Sequence, residues 1–264
     1  MYFPLSLYQE ICDEIIRSNL SVYTVEQYIM EKPSKQFIIL RHDVDLNPSR
    51  AVNMARIEYL HGIKATYYFR FMPFVFNLNK IKLISKMGHE IGYHYETLKK
   101  NRGNIAEAIT LFRTELKTFR QSGINVKTVC AHGSRGTVIN FDIFHYYPQL
   151  REEENLIGEA YLDIDFSDLT YVSDSMGVWV KHKHGINQSR RNQRQEQETG
   201  KAFASEPKNT VKLIKDVFNS RTDRYYFLVH PQYYIKNYNK IVKITNFLIQ
   251  SHIIPHILVM DQLM

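Results

Sequence analysis

The chain is poor in several features that would decide its class at once. Its 264 residues hold two cysteines, Cys12 and Cys130, and they lie far apart. That excludes a disulfide framework and points to a reduced, cytoplasmic setting. No apolar run approaches the roughly 20 residues of a membrane-spanning helix. The first residues, MYFPLSLYQEICDEII, have no basic leader and soon carry Glu10, Asp13 and Glu14, so neither a secretory signal nor a membrane anchor is expected. There is no internal repeat. Positive charge exceeds negative by 7, but much of the excess sits in ordinary surface positions and in Lys181 to Arg194. This reads as a solvated surface favouring anionic substrates, not as a nucleic-acid-binding face.

What is present is an ordinary globular composition, 44% hydrophobic and 23% charged, enough for one large domain spanning 1–264. Residues 1–35 read as a helical extension, with Tyr8, Ile11, Ile15 and Ile16 at helical spacing. The apolar run Phe37-Ile38-Ile39-Leu40 then reads as a buried strand that delivers His42, Asp43 and Asp45 at its end. Asn47-Pro48 marks a helix start. Further strands are expected at Ala65 to Phe69, His89 to His94, Val126 to Cys130 and Tyr225 to Val229, with helices between them. Such alternation argues for parallel βα units. Residues 181–208 are polar and read as a long loop.

Separate strand ends thus carry Asp43 and Asp45, His94, His132 and His230. Parallel strands of a barrel bring such ends to one face. Carboxylate oxygen with imidazole nitrogen suits a divalent ion, Zn²⁺ first and Co²⁺ or Ni²⁺ as alternatives, with a position left for water. Each residue also has a plainer reading. His42 and Asp43 could cap the following helix, and His132 or Trp179 could simply be core. His89 reads as structural, bonded to backbone near the strand start. His182 and His184 read as solvated loop, and Cys130 as inert apolar packing.

The strings HDVD at His42 to Asp45, GHEIGYH at Gly88 to His94 and Leu-Val-His at Leu228 to His230 together resemble the polysaccharide deacetylase family, the NodB-homology carbohydrate esterases. The resemblance covers roughly Phe37 to Gln232. It implies an α/β fold, a distorted (β/α) barrel, and a metal-dependent deacetylase acting on an acylated sugar or sugar conjugate, in a variant often linked to surface polysaccharide biosynthesis. It implies Asp43 as catalytic base, Asp45 and His94 as metal ligands, and His230 as general acid. Tyr171 to Trp179 resembles the motif in which an acidic residue, here Asp174, orients the catalytic histidine, while Trp179 lines the pocket.

The chain departs from the family pattern where a second metal histidine is expected, because that position is Leu98. His132 is the first candidate to fill the shell and Glu96 the second; the alternative is a degraded site. The usual Arg-x-Pro motif is replaced by His132-Gly133-Ser134-Arg135, with Ser134 as a candidate substrate contact. Two rival functions follow: a sugar-binding protein that kept the fold and lost turnover, and an amide hydrolase acting on a non-sugar substrate.

Overall fold

The computed structural model describes residues 2–133, 138–182, 201–204, 207–219 and 224–236. The chain begins with β1 (Phe3–Pro4), α1 (Leu5–Arg17), β2 (Ser21–Tyr23) and α2 (Val25–Glu31). Helix α2 starts at a capping box, in which Thr24 and Gln27 each bond the other's backbone N–H and so satisfy donors that a helix start leaves open. Next come β3 (Phe37–Val44), α3 (Pro48–Leu60), β4 (Thr66–Arg70), α4 (Leu78–Lys86), β5 (Glu90–Tyr95), α5 (Thr97–Lys100), α6 (Ile105–Gln121) and β6 (Thr128–Ala131). The rest comprises α7 (Asp142–Tyr146), α8 (Leu150–Glu153), β7 (Gly158–Glu159), β8 (Thr170–Ser173), β9 (Trp179–His182), β10 (Lys201–Ala204), α9 (Pro207–Asn219), β11 (Arg224–Val229) and β12 (Tyr234–Ile235). No helix among the described residues is long and apolar enough to cross a membrane.

The main sheet runs β10-β9-β8-β11-β3-β4-β5-β6-β7. All pairings from β8 to β7 are parallel, and only β9 and β10 are antiparallel. The protein is thus a mixed α/β fold on a parallel sheet, and among the described residues no pairing joins β7 to β10.

Two other expectations change. Residues 1–35 are not a purely helical extension: β1 pairs with β12, and β2 pairs in parallel with the first half of β3, at Phe37 to Ile39. The stretch 181–208, expected as loop, begins and ends in structure. Lys181 and His182 belong to β9, Lys201–Ala204 form β10 against it, and α9 starts at Pro207. Residues 183–200, including His184, lie outside the described residues.

Strand β3 is buried along its whole length, as its apolar run requires of a central parallel strand. Its side chains alternate between two layers. Ile38, Leu40 and Val44 join the core built with helices α1, α3, α4 and α6. Phe37 and Ile39 face a second, largely aromatic core with Tyr68, Cys130, Tyr171, Tyr226 and Leu228. That face is packed so closely that a Cβ on Gly92 of β5 would stand 2.1 Å from the Tyr68 ring. Glycine is therefore required in the middle of the GHEIGYH string.

Candidate metal centre and catalytic site

Period-two alternation carries the second face outward to the strand ends. Arg41, Asp43 and Asp45 follow Phe37 and Ile39; His94 and Glu96 follow Gly92; His132 follows Cys130; His230 follows Tyr226 and Leu228. Parallel register then sets them side by side. Val229 is level with His42, Arg70 with His94, and His94 with Cys130. Residues scattered over most of the chain thereby meet at one edge of the sheet, the edge where α/β folds place their chemistry.

Asp45, His94 and His132 each offer one ligand atom, and these atoms lie within 4.8 Å of one another. Asp45 Oδ1 is 3.4 Å from His94 Nε2 and 3.5 Å from His132 Nε2. The orientation of each group suits a cation. His94 donates from Nδ1 to the Cys130 carbonyl at 2.9 Å, which fixes the ring with Nε2 toward Asp45 as the nitrogen a cation would take. The other carboxylate oxygen, Asp45 Oδ2, accepts from Gln232 Nε2 at 3.0 Å. Oδ1 is buried and has no hydrogen-bond donor among the described residues. A buried carboxylate oxygen without a donor, beside two imidazole nitrogens, is an arrangement that fits a divalent ion. The donor set, one oxygen and two nitrogens, fits Zn²⁺, Co²⁺ or Ni²⁺.

Burial works against ionising Asp45, but the imidazole of His94 at 3.4 Å, with His230 and His132 beyond, outweighs it and holds the carboxyl well below its usual range. Burial, then the charge of His94, lowers the pKa of His132 to about 4. It is therefore neutral at physiological pH, the form that ligates metals. A second convergent group, Asp43, His94 and Cys130, is a poorer cation site. Burial pushes the Cys130 thiol up, so it stays protonated and packs as the sequence suggested.

Asp43 is held by a residue that the sequence reading passed over. Arg41 is fully buried and grips Asp43 at both oxygens, Nε to Oδ1 at 2.8 Å and Nη2 to Oδ2 at 2.7 Å. Its remaining donors reach the hydroxyls of Tyr226 and Tyr161, both at 2.8 Å. Burial alone would raise the pKa of Asp43, but the charge of Arg41, then that of His94, brings it below the ordinary value. Asp43 is thus kept ionised and aimed, its Oδ2 lying 3.5 Å from His94 Nε2.

On the other side His230 donates from Nδ1 to Asp174 Oδ1 at 2.7 Å. Its backbone N–H also points at that carboxylate, at 2.9 and 3.1 Å. Burial disfavours the imidazolium, yet the bond to Asp174 and its charge, with Asp45 and Asp43 adding, push the pKa of His230 up to about 9. A base that is ionised and a histidine that is protonated therefore coexist, the division acid–base chemistry needs.

The coordinates bring together Asp43, Asp45, His94, His132, Asp174 and His230. Ser134 lies outside the described residues. Trp179 is not a pocket wall: it is fully buried in the helix-side core, edge-on to Phe227. The antiparallel register of β9 on β8, with Val180 level with Ser173, turns it to the helix side with Val172. Leu98 is likewise core, in α5, while His132, just past β6, joins Asp45 and His94 in the convergent set. Two further residues set the geometry. Gln232 orients Asp45. Asn140 bonds the His132 carbonyl at 2.8 Å and the Lys99 N–H at 3.0 Å.

No protein-family model and no curated protein matches the chain. Among solved structures it is similar to the peptidoglycan deacetylase PdaC from Bacillus subtilis, at 14% identity and a TM-score of 0.36, over 83% of this chain and 98% of that one. A point mutant of the same enzyme matches equally, over 97% of its length.

Proposed function

We propose that the protein is a metal-dependent deacetylase that hydrolyses an N-acyl group, N-acetyl above all, of a sugar or sugar conjugate, on what we read as a distorted (β/α) barrel. The observation that carries this reading is the placement of an Asp45–His94–His132 donor set between an Arg41-held carboxylate and an Asp174-held imidazole. Asp45, His94 and His132 would hold the cation. When bound, it supplies Lewis acidity, lowering the pKa of water and polarising a carbonyl.

The chain's own groups do the proton work. Asp43, ionised under Arg41, accepts the proton of the attacking water. His230, held protonated by Asp174, gives its Nε2 proton to the departing nitrogen as the C–N bond breaks. The products are an acid and a free amine, and Asp43 and His230 return to their starting states by exchange with solvent. Asp43 is a weak base because Arg41 lowers its pKa, so it suits a water that is itself acidified.

The test is acetate release from N-acetylated amino-sugar oligosaccharides by Zn²⁺-, Co²⁺- or Ni²⁺-loaded protein. Asp43→Asn and His230→Ala are each expected to lower kcat by about 10²–10⁴. Binding of the oligosaccharide without release by any form would instead favour the sugar-binding alternative.

A further inference from the structure

Metal-binding histidines are oriented by what their second ring nitrogen touches, and the two histidines here differ on that point. His94 has the backbone carbonyl of Cys130. His132 Nδ1 is buried and makes no hydrogen bond among the described residues, but it faces Glu96 Oε2 at 3.4 Å. We propose that Glu96 is the positioning carboxylate of the metal centre, accepting the Nδ1 proton of His132 so that the Nε2 lone pair points at the cation. The inference rests on the metal reading above.

Three features support it. Glu96 is itself held in place: Oε2 accepts from Arg70 Nη2 at 2.6 Å, and Oε1 lies 3.4 Å from Lys100 Nζ. Strand alternation in β5 puts Glu96 on the same face as His94, and register places Arg70 level with His94, so the clamp is built into the sheet edge. The backbone of His132 is also fixed, its N–H bonded to the Tyr95 carbonyl at 2.8 Å and its own carbonyl to Asn140. Only side-chain rotation is left to close the gap to Glu96.

That closure is favourable. His132 Nδ1 is buried without a hydrogen-bond partner among the described residues, and leaving such a group unsatisfied costs about 1–3 kcal/mol. Glu96 is not itself a ligand. Its oxygens lie against two cations, and it is not among the groups whose donor atoms converge within 4.8 Å. It supplies what the chain lacks through Leu98, an ordered third ligand, by fixing a histidine on a different strand.

The experiment is titration of Zn²⁺ against a competing chelator into metal-stripped full-length protein, with the Co²⁺ absorption spectrum as a second readout. Wild type, Glu96→Gln, Glu96→Ala, Arg70→Met and His132→Ala are compared, with thermal unfolding to confirm folding. Wild type should bind one ion per chain. Glu96→Gln should weaken binding about tenfold and Glu96→Ala about a hundredfold, with altered cobalt bands and little change in metal-free Tm. Arg70→Met should shift binding in the same direction by less, and it carries the test if the Glu96 variants do not fold. Unchanged affinity in the Glu96 variants alongside loss in His132→Ala overturns the positioning role and leaves the metal site standing. Loss as complete as in His132→Ala, with one oxygen donor gone from the cobalt spectrum, makes Glu96 a ligand and also overturns it. A wild type that binds no ion overturns both this inference and the reading on which it rests.

Discussion

Two clusters of histidine and carboxylate flank strand β3, and they behave in opposite ways. On the helix side, Glu58 is buried among His42, His89, Tyr8 and Tyr67. His42 Nε2 lies 2.6 Å from Glu58 Oε1, which also takes the Tyr8 hydroxyl, and Tyr67 donates to Oε2 at 2.7 Å. His89 accepts the Ala65 N–H at 3.2 Å and donates to the Ala55 carbonyl at 3.0 Å, the structural role expected of it. Both oxygens of Glu58 are committed. On the other side, Asp45 Oδ1 and His132 Nδ1 have no hydrogen-bond partner among the described residues, and three ligand atoms converge; His42 Nδ1 is likewise without one but belongs to no convergent set among them. Both clusters pair a carboxylate with two histidines. Convergence of uncommitted lone pairs at a strand end distinguishes a site from a polar brace.

The sharpest way to break this contrast is to remove one member from each cluster. Glu58→Gln should cost about 3–5 kcal/mol of stability in urea unfolding, because a buried pair loses one partner, while leaving the affinity for Zn²⁺ unchanged. His132→Ala should do the reverse, weakening Zn²⁺ by more than the roughly hundredfold that an outer partner costs and changing metal-free stability by about 1 kcal/mol or less. Equal stability losses would erase the distinction between brace and site.

A smaller effect, of opposite sign in the two clusters, should appear with pH in the metal-free protein. Burial would raise the pKa of Glu58, but His42 holds it below the ordinary value. Its stabilisation is therefore present above the unfolded carboxylate pKa and lost as pH falls through the lower folded value. His230 is raised to about 9, so its contribution is complete below the unfolded histidine value of about 6.5 and lost as pH rises through about 9. An NMR titration should find that upper value and see it fall in Asp174→Asn. A bound cation, by its charge, would draw it lower, so the alkaline limb of activity should lie below that of the metal-free titration.

The smallest effect is expected at Cys130, which lies within ligand reach of Asp43 and His94. Cys130→Ala should leave metal affinity unchanged and cost about 1 kcal/mol of stability. A sulfur-to-cobalt band in wild type that vanishes in the variant would show thiolate ligation and redraw the boundary of the site.

Much of this site was legible beforehand, for a local reason. A continuous apolar run followed by Asp43 and Asp45 announces a buried strand and its polar end, and the same holds for His94, His132 and His230. Arg41 was missed although its signal is present: a cation inside a buried strand, two residues before Asp43, must share that aspartate's face and needs its charge matched. Gln232, two residues beyond His230, carries the same signal more faintly. The pocket-wall reading of Trp179 rests on the resemblance of Tyr171 to Trp179, whereas its face is set by the antiparallel pairing of β9 with β8, which the segment's own residues do not announce. Strands β1 and β2 went unseen because two and three residues are too few to establish a period.

The amino-acid order by itself determined which residues lie on one face of each strand, since alternation is a property of neighbouring peptide units. It could not determine which strands lie side by side, because register is set by packing between segments far apart in the chain. Tertiary structure alone made one carboxylate–histidine cluster a brace around Glu58 and the other a convergent donor set. It also brought His132, just past the end of β6, into the donor set with Asp45 and His94, while Leu98 of α5 is buried in the core.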